Sequence, residues 1–548
     1  MSDAAVRLPA PPAGSGAPLP ASAHFPGRPA ACLVASLLLW LAQGLGMNLI
    51  AVNTAQLQGG LGATAVEINW LIAAYMAPNV SLTILLTKIR TQFGLRPFAE
   101  VAICLFVSVS LLHLVVHDLG SALIVRFLAG MAAAPMSTLG FLYMLEAFPQ
   151  AKKLSWGLCL ALTASASTAA IARLVSPPLL DQASWHGLYS LEIGCALLAL
   201  MAVLMVPLAP MPHARVLHRL DFISYPLLAT GMGLVAIVLA LGRLYWWFEA
   251  PWIGVCLAIA ALCLAAAAAI ELTRTTPLLD IAWLTSPEMV RFGLTLLVFR
   301  LVLAEQSSGA IGLFQQIGLL NEQSRGLYLV VLAATIGGGI ICALTIRPDR
   351  VPLLHMAALA MIGVGAFLDA RVTSLTRPAE MLVSQGLIAF GASLFLPPAM
   401  LAGLMKTLKR GPTFITSFIA VFLATQYLGG LLGSAAFGSF VTIRQKVHLR
   451  ALADHFIQSN PLIAHRIEQL GGLYGATLAD RRLLNAEGVS LLVQQASREA
   501  WILAYSDAFL VIAGIAAAAL VWLVAEEATT RIRGLVARAG TATAPGGA

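Results

Sequence analysis

The sequence predicts an all-α polytopic membrane protein of about fourteen transmembrane helices, and three observations carry that prediction. Of the 548 residues 59% are hydrophobic and only 11% are charged. The mean hydropathy is +0.86, more apolar than any water-soluble fold can bury. Long apolar stretches alternate with short polar loops. Most are about 20 residues long, the length that crosses a hydrocarbon core of roughly 30 Å with every backbone group satisfied within the helix.

Taken in order, spans 1 to 14 fall at 31–56, 66–87, 97–117, 120–146, 154–178, 187–208, 222–242, 251–272, 292–318, 325–346, 353–372, 380–405, 413–442 and 501–525. An even number places both termini on one side of the membrane. Lys88, Arg90, Arg96, Lys152, Lys153, Arg215, Arg219, Arg347, Arg350, Lys406, Lys409 and Arg410 lie in loops on that side, and Arg531, Arg533 and Arg538 follow the last span. The short loops opposite hold little besides Arg243, Arg325, Arg371 and Arg377. The positive-inside rule therefore predicts a multi-pass protein with both termini cytoplasmic. Topology also accounts for the net charge of +8, with no nucleic-acid partner needed. Residues 1–29 are rich in Pro, Ala and Gly, and 526–548 end in Gly, Ala and Thr; both are expected to be disordered cytoplasmic tails. Span 1 is too long and begins too late for a cleaved signal peptide.

One loop is long. Segment 444–500, between spans 13 and 14 on the extracytoplasmic side, has helical periodicity, with Leu449, Leu452 and Phe456 on one stripe. It reads either as a solvated cap or as a docking surface for an extracytoplasmic partner. The basic turns LLTKIRTQFGLRP after span 2 and ALTIRPDRVPL after span 10 recur at the same place in a six-helix set. That repeat predicts a six-helix half at 30–208, two inserted central helices at 209–290 and a second six-helix half at 291–525, with a site at the midplane between the halves.

The seven cysteines all lie inside apolar spans, with no CxxC pair and no His at ligand spacing, so they read as small buried hydrophobes. No metal or cofactor is expected. The chain has no GxxxxGK[ST] loop, which excludes an ATP-driven pump, and no His, Asp or Cys cluster of the kind a membrane enzyme needs.

An ionisable group inside a span costs roughly 2.5–3.5 kcal/mol, so it usually faces a cavity or a partner. By that test the candidates are Arg126 in span 4, Arg173 in span 5, Glu192 in span 6, Arg300 and Glu305 in span 9, Asp369 in span 11 and Asp507 in span 14. Glu305 stands out. Entering at 292, span 9 reaches it after about 20 Å, near or slightly beyond the midplane, and Glu305-Gln306-Ser307-Ser308 is too polar to face lipid. Proton or substrate binding and a structural hydrogen bond both remain open for it. Counted from their span ends, Arg126, Arg173 and Glu192 all fall in the extracytoplasmic half, as a charge-paired strut or as an anion-attracting cluster. Asn48, Asn53, Gln316 and Gln426 are polar candidates for a substrate cavity, and Trp70, Tyr75, Phe314 and Tyr427 are aromatic surfaces that suit a cation. The Pro-Pro pairs at 177–178 and 397–398 are candidate helix bends.

Several segments together resemble the fourteen-span drug:proton antiporter group of the major facilitator superfamily. MNLIAVN in span 1 resembles the group's LDxTIxN, INWLIAAYMAPN its xxWxxxxYxLxx, and LIVRFLAGMAAAP in span 4 its RxxQGxGxG, placing Arg126 at that motif's arginine. DQASWHGLYSLEIG is similar to sWRWiFxiNvPiG, and QYLGGLLGSA in span 13 to RQLGGxxGxA. The departures are specific. Asn48 stands where span 1 of the group carries an acid, Thr91 replaces the acid of the span 2–3 turn, and Gln426 replaces the arginine of RQLGG. The Gly-Pro pair of span 5 is missing, with Arg173 near the proline's place.

The resemblance implies a secondary exporter of a small amphipathic compound in the inner membrane, working by alternating access in exchange for protons. It also implies a proton-transfer role for Arg126, and for many relatives a periplasmic adaptor and an outer-membrane channel. Because Asn48 replaces the span 1 acid, an uptake carrier or a transport-dead sensor is the alternative reading.

Overall fold

The computed structural model describes residues 27–209, 214–274, 277–411, 414–454, 456 and 460–542, and these hold helices and no β-strand. Of the tails expected at 1–29 and 526–548, residues 1–26 and 543–548 lie outside the described residues, whereas 28–29 and 526–542 are helical rather than disordered. Thirteen helices among the described residues are long and apolar enough to cross a membrane. Span 9 is the fourteenth, and it is broken. It runs as a helix from Pro287–Val302, a π-helical turn at Glu305–Gly309 and a short helix at Ala310–Gln316.

Span 1 is Arg28–Val52, and Asn53 interrupts it before a short helix at Thr54–Leu61. Spans 2 to 4 are Trp70–Phe93, Leu95–Leu112 and Leu119–Glu146. Spans 5 and 6 share one helical run, Leu158–Met205, that contains Pro177 and Pro178. A straight helix would separate Thr168 from Glu192 by about 36 Å. Both nevertheless pack on span 1, against Gly44 and Gly46, so the chain reverses between them. Spans 7 and 8 are Asp221–Tyr245 and Pro251–Leu272, and spans 10 to 12 are Arg325–Thr345, Val351–Asp369 and Leu382–Arg410.

The last two spans run past their expected ends. Ile415–Ala453 and Arg481–Ala542 are single helices, so segment 444–500 is mostly their continuation. A short helix, Pro461–Gly472, packs on the second of them, with Gly471 against the Leu484 carbonyl and Gly488 against that of Ile467. Arg498 reaches the Ile317 carbonyl, 2.9 Å away at the end of span 9. The helix from there back to Arg481 therefore projects about 25 Å beyond the bundle. This end is the cap face, and the opposite end, where span 1 begins, is the Arg28 face.

Buried side chains form two apolar clusters, one drawn mainly from spans 1 to 7 and the other mainly from spans 9 to 14. Span 7 packs on both span 2 and span 13. On the Arg28 face Asp221 accepts from Lys88 at 3.0 Å and from Arg274 at 2.5 Å, while Arg274 also holds Glu271 at 2.8 Å. Toward the cap face Trp247 donates to Ser439 at 2.8 Å and Lys446 lies 4.6 Å over the Trp246 ring. Span 8 buries Ile253, Ala260, Ala267 and Glu271, a single stripe at heptad spacing. Its other faces are left for lipid.

Candidate functional site

Close helix contacts bring charged groups to the middle of the bundle. Gly130 in span 4 lies against the Tyr75 carbonyl of span 2, where a Cβ would sit 2.1 Å from the oxygen. That approach sets Arg126, one turn earlier, 4.4 Å over the Tyr75 ring. Arg126 is only 1% exposed, and it donates to the Gly46 carbonyl at 2.6 Å. Glu192 of span 6 abuts the same glycine, since a Cβ on Gly46 would meet its Oε1 at 2.9 Å. Ser110 donates to Glu192 at 3.5 Å, and the charge of Arg126 acts on that carboxylate.

From the other helices, Arg300 of span 9 donates to Gln426 of span 13. Gly429 and Gly433 let span 13 ride directly on Arg300. The Tyr427 hydroxyl, beside Gln426, is within electrostatic reach of both Arg300 and Tyr75. Among the buried polar atoms without a partner in this neighbourhood are the donors Arg126 Nε, Arg300 Nε and Gln426 Nε2, beside Asn79 Oδ1 and His113 Nε2. The three donors belong to the two arginines and to the glutamine that Arg300 binds, which favours an acceptor there.

Arg173 is not part of the Arg126 and Glu192 cluster expected from counted depth. It faces span 10, where it donates to Asn321 at 3.0 Å and lies 5.2 Å over Tyr328. Depth along a helix was countable from sequence, whereas the direction faced depends on packing. Asn48 and Asn53 also turn toward span 5, donating to Thr168 at 3.2 Å and Ser176 at 2.7 Å. Asn321 in turn donates to the Val52 carbonyl at 3.0 Å and Asn53 at 3.2 Å. These polar contacts hold spans 1, 5 and 10 together toward the cap face. Toward the Arg28 face spans 5 and 10 meet again, with the Cys159 and Cys342 sulfurs 3.6 Å apart and Gly339 packed on Thr163. Asp507 accepts from Arg444 at 2.7 Å and His448 at 2.6 Å, an ion pair between spans 13 and 14. Gln316 is exposed at the cap end of span 9.

Glu305, expected near or slightly beyond the midplane, lies in the cap-face part of span 9, beside Asp369 at the end of span 11. Span 9 begins at Pro287 rather than 292, so Glu305 comes after about 27 Å of helix. It is wholly buried. Gln385 of span 12 donates from one nitrogen to Glu305 Oε1 and to Asp369 Oδ2 of span 11, each at 2.7 Å. Sequence reasoning missed Gln385, because a neutral amide escapes a search for ionisable groups. A cavity of about 320 Å³ lies over this pair, lined by Asp369, Arg371, Thr376, Glu380 and Ser384 among others. Among the described residues no three His, Cys, Asp or Glu side chains gather as a metal site.

No protein-family model matches the chain. It is 28% identical over 440 residues to the puromycin resistance protein pur8 of Streptomyces alboniger, covering 77% of this chain and 82% of that one. It is 25% identical over 260 residues to the multidrug export protein EmrB of Haemophilus influenzae, covering 46% of this chain and 50% of that one. Its fold is similar to the crystal structure of the nucleoside transporter NupG, with a TM-score of 0.50 and 11% identity over 91% of this chain and 99% of that one. With its motifs in order on the expected spans, the chain is a multi-pass helical membrane protein similar in sequence to a puromycin resistance protein and to a multidrug export protein, and similar in fold to a nucleoside transporter.

Proposed function

We propose that this protein is a secondary transporter that moves a small amphipathic compound out of the cytoplasm across the inner membrane, by alternating access and in exchange for protons. The halves are 30–208 and 291–525, with 209–290 an inserted pair that touches both. The Arg28 face is cytoplasmic by its loop charges, and the cap face is extracytoplasmic.

The observation that carries this reading is Glu305, a wholly buried carboxyl in a broken span, in a chain whose relatives are named for puromycin resistance and multidrug export. Asn48, bound to Thr168 and to the Gly44 carbonyl, offers no proton site in span 1, so coupling is assigned to span 9. The unmet donors of Arg126, Arg300 and Gln426 favour an anionic or acceptor-rich compound. Arg126 is assigned to hold Glu192 and that substrate region in register. The projecting helices beyond Arg498 are the surface on which an extracytoplasmic adaptor leading to an outer-membrane channel would dock.

The test is accumulation of aromatic weak acids and lipophilic cations in an efflux-deficient host expressing wild type or Glu305→Gln, with and without an uncoupler. Lower accumulation with wild type, abolished by the uncoupler and by Glu305→Gln at equal expression, supports the reading. Export that survives Glu305→Gln yet fails with the uncoupler moves coupling to another group. No change for any compound favours uptake or sensing.

A further inference from the structure

We propose that Glu305 and Asp369, bridged by Gln385, form one proton-binding site that holds a single shared proton and is loaded from the cap face. This rests on the export reading for its purpose, though not for its chemistry.

Asp369 is 2% exposed and Glu305 0%, and the two carboxyls lie close enough to share a hydrogen bond. Neither has an ion-pair partner among the described residues. Two carboxylates sharing a buried site without a cation do not both stay ionised, because their mutual repulsion adds to the desolvation of each. Glu305 Oε2 is buried with no partner. That unfilled position is where a proton completes the pair.

The surrounding groups leave this assignment intact. On span 9 itself Arg300 is held by Gln426, and Ser308 bonds Ser434 of span 13 at 2.9 Å. From span 14, Tyr505 packs on Gly312, Ser506 bonds the Ala370 carbonyl at 2.5 Å, and Asp507 is taken by Arg444 and His448. Span 12 contributes Ser384 and Gln385. Arg371 and Glu380 line the cavity above the pair, and Arg371 lies 5.5 Å over the Phe367 ring. Asp369 is a wall of that cavity, so a proton arriving from the cap face meets it before Glu305.

The ligand is a proton rather than a metal cation. Gln385 turns its NH2 into the pair, whereas a hard cation needs several oxygen ligands converging on it. The pair presents a donor where a sodium ion would need an acceptor.

The test is infrared difference spectroscopy of the purified full-length protein in lipid nanodiscs, titrated with acid in potassium and then in sodium buffer. Wild type is expected to show, beside the bands of Glu192 and the other carboxyls, one protonated-carboxyl band belonging to the pair that grows on acidification and is indifferent to sodium. Glu305→Gln and Asp369→Asn should each abolish it. Gln385→Met, which keeps length and removes both donated bonds, should displace the band and keep it. Survival of the band in either carboxyl variant, or its loss on sodium addition at fixed pH, overturns the proposal. No transported compound is involved, so this result and the accumulation result fail independently.

Discussion

Glycine at position 130 decides whether the central charges can meet, and Gly194 is its control. A Cβ at Gly130 would sit 2.1 Å from the Tyr75 carbonyl, a backbone atom that cannot swing aside. Gly130→Ala is therefore expected to lower stability by about 1–3 kcal/mol, the usual range for overpacking, measured as thermal unfolding in detergent. Gly194 has nothing within 4 Å of such an atom, so Gly194→Ala should leave unfolding unchanged. All seven ionisable candidates were legible in the sequence as charges inside apolar spans. Their partners were not. Depth follows from a count of residues, so Arg126, Arg173 and Glu192 looked equivalent, but the face each presents depends on where neighbouring helices pack. Asp507 proved to be held by Arg444 and His448, from a segment 59–63 positions away in sequence.

Helix number and order follow from apolar length alone, because lipid offers the backbone no alternative to satisfying itself. What length does not reveal is a break inside a span. The polar run Glu305-Gln306-Ser307-Ser308 marked the place, and the structure puts a π-helical turn there, a feature common at functional positions. Spans 5 and 6 show the converse, two spans in one helical run that only tertiary contact reveals as a reversal. Spans 7 and 8 are tied to span 2 by Asp221, wholly buried between Lys88 and Arg274. Asp221→Asn leaves two buried cations with less compensation, and we expect a loss of about 3 kcal/mol with spans 7 and 8 becoming the first protease-sensitive region. Equal protease resistance in the variant would mean that apolar packing alone retains the pair.

At the scale of the whole molecule, the proposed alternating access requires the proposed halves to part at one end at a time. Spans 5 and 10 touch at both ends, through Asn321 and Arg173 toward the cap face and through Cys159 and Cys342 toward the other. Joining the two cysteines with an oxidant such as copper phenanthroline should stop transport, and a reductant should restore it. Cys342→Ser should be immune, and undiminished transport in the cross-linked protein would mean that this contact does not open. The division into halves was suggested by two basic turns, while the contact of span 7 with both sides was not, since a sequence repeat carries no information on neighbours. A carboxyl pair that carries one proton also fixes how the cycle responds to voltage. Proton entry against export of a monovalent cation moves no net charge, against a neutral compound one charge, and against a monovalent anion two. At a potential of 100 mV the anion cycle gains about 4.6 kcal/mol and the cation cycle nothing. A potassium diffusion potential imposed without a pH gradient would therefore drive export of the weak acid and leave the lipophilic cation at rest.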